Sequence, residues 1–171
     1  FPELLAMAGG MRGGRKLKAV IPGGSSAKIL TAKEMMACTM DYDCIGQAGS
    51  MLGSGAVIVL DETRCMVETL GRLLDFYDEE SCGQCTPCRE GSGWTARMVR
   101  KIMAGQGEPG DADKLVDVAN KVEGHTICVF GEAFAWPIQS YVAKFRDEFE
   151  YYIEHKKSKV TGKTFTFHHH Q

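Results

Sequence analysis

Three cysteines recur at every third position of one short segment, Glu80-Ser-Cys-Gly-Gln-Cys-Thr-Pro-Cys-Arg-Glu-Gly91, and a fourth stands far downstream in Thr126-Ile-Cys-Val-Phe-Gly131. No other feature constrains the fold as strongly. Cys82, Cys85 and Cys88 turn inward around one centre only if their segment curls, and Cys128 joins them only if the intervening chain returns to the same place. Four thiolates converging in this way ligate a 4Fe–4S cubane, one to each iron. Zinc also takes four cysteines, but structural zinc sites pair two C-x-x-C knuckles, and here the split is three and one. Unliganded thiols are the third reading, and it suits Cys38, Cys44 and Cys65, which have no ligand spacing. An odd total of seven cysteines and no secretory signal argue against a disulfide framework. The spacing therefore favours one 4Fe–4S cluster per chain on Cys82, Cys85, Cys88 and Cys128, and with it the carrying of electrons.

The residues between the thiols suit that chemistry. Gly83 lets backbone N–H groups come close to sulfur, and Pro87 stiffens the segment while removing one donor. Arg89 is placed either to offset the negative charge of the thiolates or to pair with Glu90. Hydrogen bonds to sulfur and the degree of burial set the potential of such a centre.

Composition excludes several other classes. A chain of 171 residues holds one domain or two small ones, and 44% hydrophobic with 25% charged residues is globular. A net charge of −2, with no Lys/Arg stripe interleaved with aromatics, gives no reason to expect nucleic acid. No apolar run approaches the length of a membrane span, Ala56-Val-Ile-Val-Leu60 being only strand-sized, so no direct membrane insertion is expected. Reduced cysteines indicate a reducing compartment. Phe1-Pro-Glu-Leu-Leu reads as the middle of a domain, and the expectation is a fragment or one part of a split protein. His168-His-His170 near the end reads as a solvated tail rather than a metal site.

The hydrophobic pattern divides the chain. Residues 1–60 are rich in glycine and short β-type runs: Lys16–Ile21 alternates like a strand with one wet face, and Ala56–Leu60 is a second strand. The glycines of Gly9–Gly14 and Pro22–Ser26 lack the Gly-Lys-Ser/Thr or strand–G-x-G-x-x-G–helix context of a phosphate cradle, so turns are expected there. Residues 61–157 read as four helices. The first carries Met66, Val67, Leu70, Leu73, Leu74 and Tyr77 on one face. The second runs from about Ser92 to Met103 with Trp94, Met98, Ile102 and Met103 inside. The third starts with Asp111 as an N-cap and ends at Gly124. The fourth starts with Pro137 near its first position and buries Ile138, Tyr141, Val142, Phe145, Phe149, Tyr152 and Ile153. Residues 158–171 form a tail. The expected class is α+β, a small β domain followed by a four-helix bundle with the cluster segment between its first two helices.

Four stretches also resemble one family. Ala8–Ser26, Ala48–Val59, Glu80–Gly91 and Thr126–Cys128 continuing to Ala135-Trp-Pro137 are similar to the NADH-oxidising flavoprotein subunit of respiratory complex I. The resemblance runs from residue 1 to about 157. It implies a partial ubiquitin-like β domain, without its opening strand, followed by a helical bundle that holds one 4Fe–4S cluster on Cys82, Cys85, Cys88 and Cys128. The family's FMN- and NADH-binding motifs are not among these residues, so FMN and NAD are expected in another domain or chain. Gly131 and Glu132 are placed towards the flavin without being ligands. The implied function is electron transfer within an NADH:quinone oxidoreductase, from FMN reduced by NADH to iron–sulfur centres of partner subunits and on to quinone. The implied place is peripheral, on the cytoplasmic side of a bacterial inner membrane or the matrix side of the mitochondrial one. The alternatives are a diaphorase subunit of an NAD-reducing hydrogenase or formate dehydrogenase and, in another class, a zinc-stabilised scaffold. Alone, the chain is expected to carry an electron and oxidise no NADH.

Overall fold

The structure, a computed structural model, describes residues 1–165; the three tail histidines lie outside the described residues. The chain divides into two compact units, Phe1–Thr63 and Arg64–Gln171.

In the first unit a central strand, β1 (Leu17–Ile21), lies between β2 (Leu30–Thr31) and β3 (Ile58–Asp61), both antiparallel to it. Val20 stands opposite Leu30 and Val59, with a register irregularity between Leu17 and Ala19. The second expected strand thus begins two residues later than its apolar run, where Ala56 O instead accepts the Gly24 N–H at 2.8 Å. Helices α1 (Pro2–Met7), α2 (Ala32–Met36) and α3 (Tyr42–Gln47) complete the unit. Two of them have local start signals. Thr31 and Glu34 form a reciprocal capping box on α2, and Asp41 Oδ1 accepts the Cys44 N–H at 2.7 Å on α3, each cap contributing about 1 kcal/mol. Phe1, Val20, Leu30, Met35, Cys38 and Ile45 form the buried core.

The glycine runs serve close backbone approach. A Cβ on Gly23 would lie 2.3 Å from the Met51 carbonyl oxygen, and Ser54 N–H donates to Gly23 O at 3.1 Å. The two glycine-rich turns are therefore pinned to each other.

The second unit is helical: α4 (Met66–Glu80), α5 (Thr86–Lys101) running into a π-type turn at Ile102–Gln106, α6 (Asp111–Val122), α7 (Phe130–Lys144) and α8 (Arg146–His155). α4 packs on α5 and α7, and α6 packs on α5 and α7. Met66, Leu70, Leu74, Phe134, Tyr141, Phe149 and Tyr152 are fully buried, each worth about 1.5–3 kcal/mol of apolar transfer. The first turn of α4 is held from a distance, since the buried Glu148 carboxylate of α8 accepts the Met66 N–H at 2.8 Å. α5 approaches α6 closely at Gly91, where a Cβ would meet Val122 Cγ2 at 2.6 Å.

Four helix expectations are corrected. The second helix starts at Thr86 within the cysteine segment, with Pro87 in its first turn, where the missing N–H costs nothing. That start turns its inner face to Cys88, Ser92, Thr95, Val99 and Ile102, and leaves Trp94 52% exposed. Asp111 is the first residue of α6 rather than its cap: Gly110 caps it, and Asp111 Oδ2 accepts the Glu108 N–H at 2.8 Å. Pro137 lies inside α7, because the turns before it bury Gly131, Phe134 and Ala135, which outweighs a penalty of about 3 kcal/mol. Finally, the long last helix is two, broken where Phe145 adopts φ −126° and ψ 32°.

Candidate metal centre

The C-terminal end of α4, the N-terminal end of α5 and the turn leading into α7 meet around one hollow of about 170 Å³. Its lining is Glu80, Cys82, Cys85, Cys88, Thr126, Cys128 and Phe130. All four sequence-predicted thiols therefore reach one place. Cys82 and Cys128 are exposed at its mouth, Cys85 is half-buried and Cys88 is buried on α5. All seven cysteines are free thiols.

Local sequence explains the curl. α4 ends at Glu80, and Ser81 and Cys85 take extended backbone on either side of Gly83, which adopts φ +76°. A side chain at that φ is strained. Pro87 then starts α5 and brings Cys88 onto its inner face. The loop is tied by Arg89, whose Nη1 donates to Gly83 O at 2.7 Å while its Nε pairs with Glu90 at 3.0 Å. Arg89 thus braces the backbone and pairs with Glu90 at once.

The downstream arm is braced from α7. Glu132 Oε1 accepts the Gly124 N–H at 2.9 Å, and Trp136 Nε1 and Gln139 Nε2 donate to the two oxygens of Glu123 at 2.7 and 2.6 Å. Thr126 Oγ1 donates to Cys128 O at 2.7 Å. Gly131 lies directly beneath, where a Cβ would sit 2.6 Å from Thr126 Oγ1. Ser81, Thr126, Phe130 and Glu123 escaped sequence reading, the only signal for them being closeness in sequence to the cysteines; Glu132 was singled out, but for the flavin side and not as a brace on Gly124.

Few groups satisfy the sulfurs. Ile127 N–H donates to Cys85 Sγ at 3.4 Å, and the Ser81 hydroxyl lies 3.5 Å from Cys88 Sγ. Burial pushes the Cys88 thiol up; Ser81 draws it back, and Cys128, Cys82 and Cys85 push it further up. A buried thiol raised in this way becomes a thiolate ligand around a cationic centre, which deprotonates its thiol ligands outright. Soft donors spread around a hollow suit an iron–sulfur group.

Cys38, Cys44 and Cys65 do not line this hollow. Cys65 is buried at the start of α4, where burial pushes its thiol up and Ser158 is its hydrogen-bond partner. Among the described residues no helix is long and apolar enough to cross a membrane.

Comparisons with known proteins agree with this site. Residues 68–152 match the family model of the NADH-ubiquinone oxidoreductase-F iron-sulfur binding region. The chain is 47% identical over 148 residues to the F subunit of the NADH-quinone oxidoreductase of Rickettsia bellii (strain OSU 85-389), covering 86% of this chain and 36% of that one. It is 46% identical over 164 residues to an F subunit, F 1, of the NADH-quinone oxidoreductase of Rhizobium meliloti (strain 1021), covering 95% and 38%. A solved structure of an NAD+-reducing NiFe-hydrogenase in the H2-reduced state superposes with a TM-score of 0.75 at 29% identity, over 87% of this chain and 25% of that one. The chain thus spans little more than a third of the length of these curated relatives.

Proposed function

We propose, from the premise that this chain belongs to the family of NADH-quinone oxidoreductase F subunits, that it is the iron–sulfur electron-transfer part of an NADH:quinone oxidoreductase, respiratory complex I. Cys82, Cys85, Cys88 and Cys128 would hold one 4Fe–4S cluster. Such a cluster, when bound, takes up and releases one electron at a time. The chain's own residues position and insulate it. Arg89 and Gly83 fix the upstream loop, Glu132 and Thr126 fix the downstream arm, and Phe130 closes one wall of the hollow. Ser81 and the Ile127 N–H set the charge that the sulfurs tolerate.

In the whole complex this chain stands between FMN reduced by NADH and the iron–sulfur centres of partner subunits that lead to quinone. FMN and NAD belong to a flavin- and nucleotide-binding domain or chain beyond these residues. Residues 1–60 are read as a partial ubiquitin-like β domain and 61–157 as the bundle that carries the cluster, with 158–171 a tail. The three-stranded sheet and the packing of α4–α7 support that reading. The place is peripheral, on the cytoplasmic or matrix face of the respiratory membrane.

One observation carries the proposal: four thiols spaced three and one along the chain line a single hollow. The test pairs spectroscopy with reconstitution. The anaerobically purified chain should be brown and, once reduced, give the EPR signal of one cluster. It should oxidise NADH only when joined to a flavin-bearing partner. Tight, stoichiometric FMN binding by this chain alone contradicts the division of labour. A second reading, the diaphorase subunit of an NAD-reducing hydrogenase, is favoured by the superposed hydrogenase chain. Co-purification from the native host distinguishes the two, since quinone-reducing partners support the first and a hydrogenase supports the second.

A further inference from the structure

Two cysteines outside the proposed cluster lie against each other. Cys38 follows α2 and Cys44 stands in the first turn of α3, at opposite ends of the turn that joins these helices. Cys38 is only 8% exposed and Cys44 is half-buried against the same apolar cluster. The Cys38 thiol donates to the Cys44 carbonyl oxygen at 3.6 Å, and each thiol acts on the ionisation of the other.

Both ends of the turn are fixed. Cys38 N–H returns to Met35 O at 3.1 Å, and Cys44 N–H is held by the Asp41 carboxylate at 2.7 Å. The Thr39 hydroxyl donates to the other Asp41 oxygen. A disulfide requires Cβ atoms about 3.8 Å apart. The fixed turn sets the separation of the two Cβ atoms, and rotation about the two Cα–Cβ bonds then turns the sulfurs towards each other without unfolding either helix.

We propose that Cys38 and Cys44 form a redox-active dithiol site that hydrogen peroxide converts to an intramolecular disulfide. The two thiols have unequal roles. Hydrogen bonds, first that from Cys38 and then the Thr39 N–H, hold the Cys44 thiol below its ordinary range, whereas burial pushes Cys38 up to about 11. Cys44 is therefore the attacking thiolate and Cys38 the resolving thiol. Cys44 is the more open of the two to a small oxidant, being half-buried where Cys38 is buried.

The steps balance. The Cys44 thiolate attacks one peroxide oxygen, the O–O bond breaks, and the departing hydroxide takes a proton to leave as water; Cys44 becomes a sulfenic acid. The Cys38 sulfur then attacks Cys44 Sγ. Its S–H and the sulfenic S–O bond break, the S–S bond forms, and a second water leaves. Two thiols lose two electrons and two protons, and one peroxide becomes two waters. The site is separate from the four thiols of the proposed cluster and does not depend on their ligand.

Trypsin supplies a direct readout, because the peptide from Glu34 to Arg64 contains Cys38 and Cys44 and no other cysteine. The full chain, purified without oxygen, is treated with one equivalent of hydrogen peroxide, its free thiols are alkylated, and this peptide is weighed. The expected peptide is two hydrogens lighter, carries no alkyl group, and accepts two after dithiothreitol. In Cys38→Ser, Cys44 should remain a sulfenic acid that dimedone traps. In Cys44→Ser, Cys38 should stay open to alkylation. A doubly alkylated wild-type peptide, a link from either cysteine to one outside the peptide, or Cys44 overoxidised while Cys38 stays free would each overturn the proposal.

Discussion

The two regions that gather thiols do so in opposite ways. In the first unit Cys38, just after α2, and Cys44, in α3, sit half in an apolar core, with the Cys38 thiol on the Cys44 carbonyl oxygen. In the second unit Cys82, Cys85, Cys88 and Cys128 come from two distant segments and stand apart around a hollow. Thiols that neighbour each other across one fixed turn can bond to each other. Sulfurs held apart by braced loops can enclose something larger, and a cation there offsets the burial and neighbouring thiols that push Cys88 up. Cysteine content alone would not separate the two regions. The arrangement of the backbone around them does.

The largest effect that could break this contrast is loss of the centre itself. Cys88→Ser removes the buried member of the set, and a several-fold fall in bound iron and visible absorption is expected, with the far-UV spectrum retained. Full iron content in that variant would remove Cys88 from the site. Next, Gly131→Ala places a methyl group 2.6 Å from Thr126 Oγ1 beneath the downstream arm. Overpacking of this kind costs about 1–3 kcal/mol, so urea unfolding should shift down and cluster occupancy fall with it. A smaller effect is expected at Cys65, which is buried and distant from the hollow's lining. Cys65→Ala should cost about 1 kcal/mol of packing and leave the EPR signal of the reduced protein unchanged; a lost signal would join Cys65 to the site.

The smallest expected effect belongs to the sheet of the first unit. The Thr63 hydroxyl and then Arg15 hold the Asp61 carboxyl down at about 2. An unfolded aspartate titrates near ~3.9. A depressed carboxylate contributes stability that is complete above its unfolded pKa and is lost as pH falls through the folded one. Wild type should therefore outlast Asp61→Asn in unfolding experiments above about pH 4, with the gap closing towards pH 2. A gap that persists below pH 2 would assign Asp61 a role unrelated to its charge.

Much of this arrangement was legible in the sequence, for identifiable reasons. The alternation at Lys16–Ile21 and the 3–4 stripe of Met66, Val67, Leu70, Leu74 and Tyr77 are local signals, and those elements formed where their pattern indicated. The convergence of Cys128 on the other thiols followed from ligand spacing. Proline was the main source of error, because one residue type carries two meanings. Pro87 looked like a loop residue and begins a helix, while Pro137 looked like a helix start and lies within one. Only burial of the turn before Pro137 distinguishes the cases, and burial is a tertiary fact. The break at Phe145 was hidden for a similar reason, since the apolar stripe continues across it in phase. The braces on the site, Glu132 to Gly124 and Glu123 to Trp136 and Gln139, depend on side chains meeting across a turn, which no short motif announces.

Iron and acid-labile sulfide analysis of the anaerobically purified chain tests the central claim most directly. One cubane held by Cys82, Cys85, Cys88 and Cys128 requires about four irons and about four sulfides per chain. A single zinc per chain with no labile sulfide would contradict it.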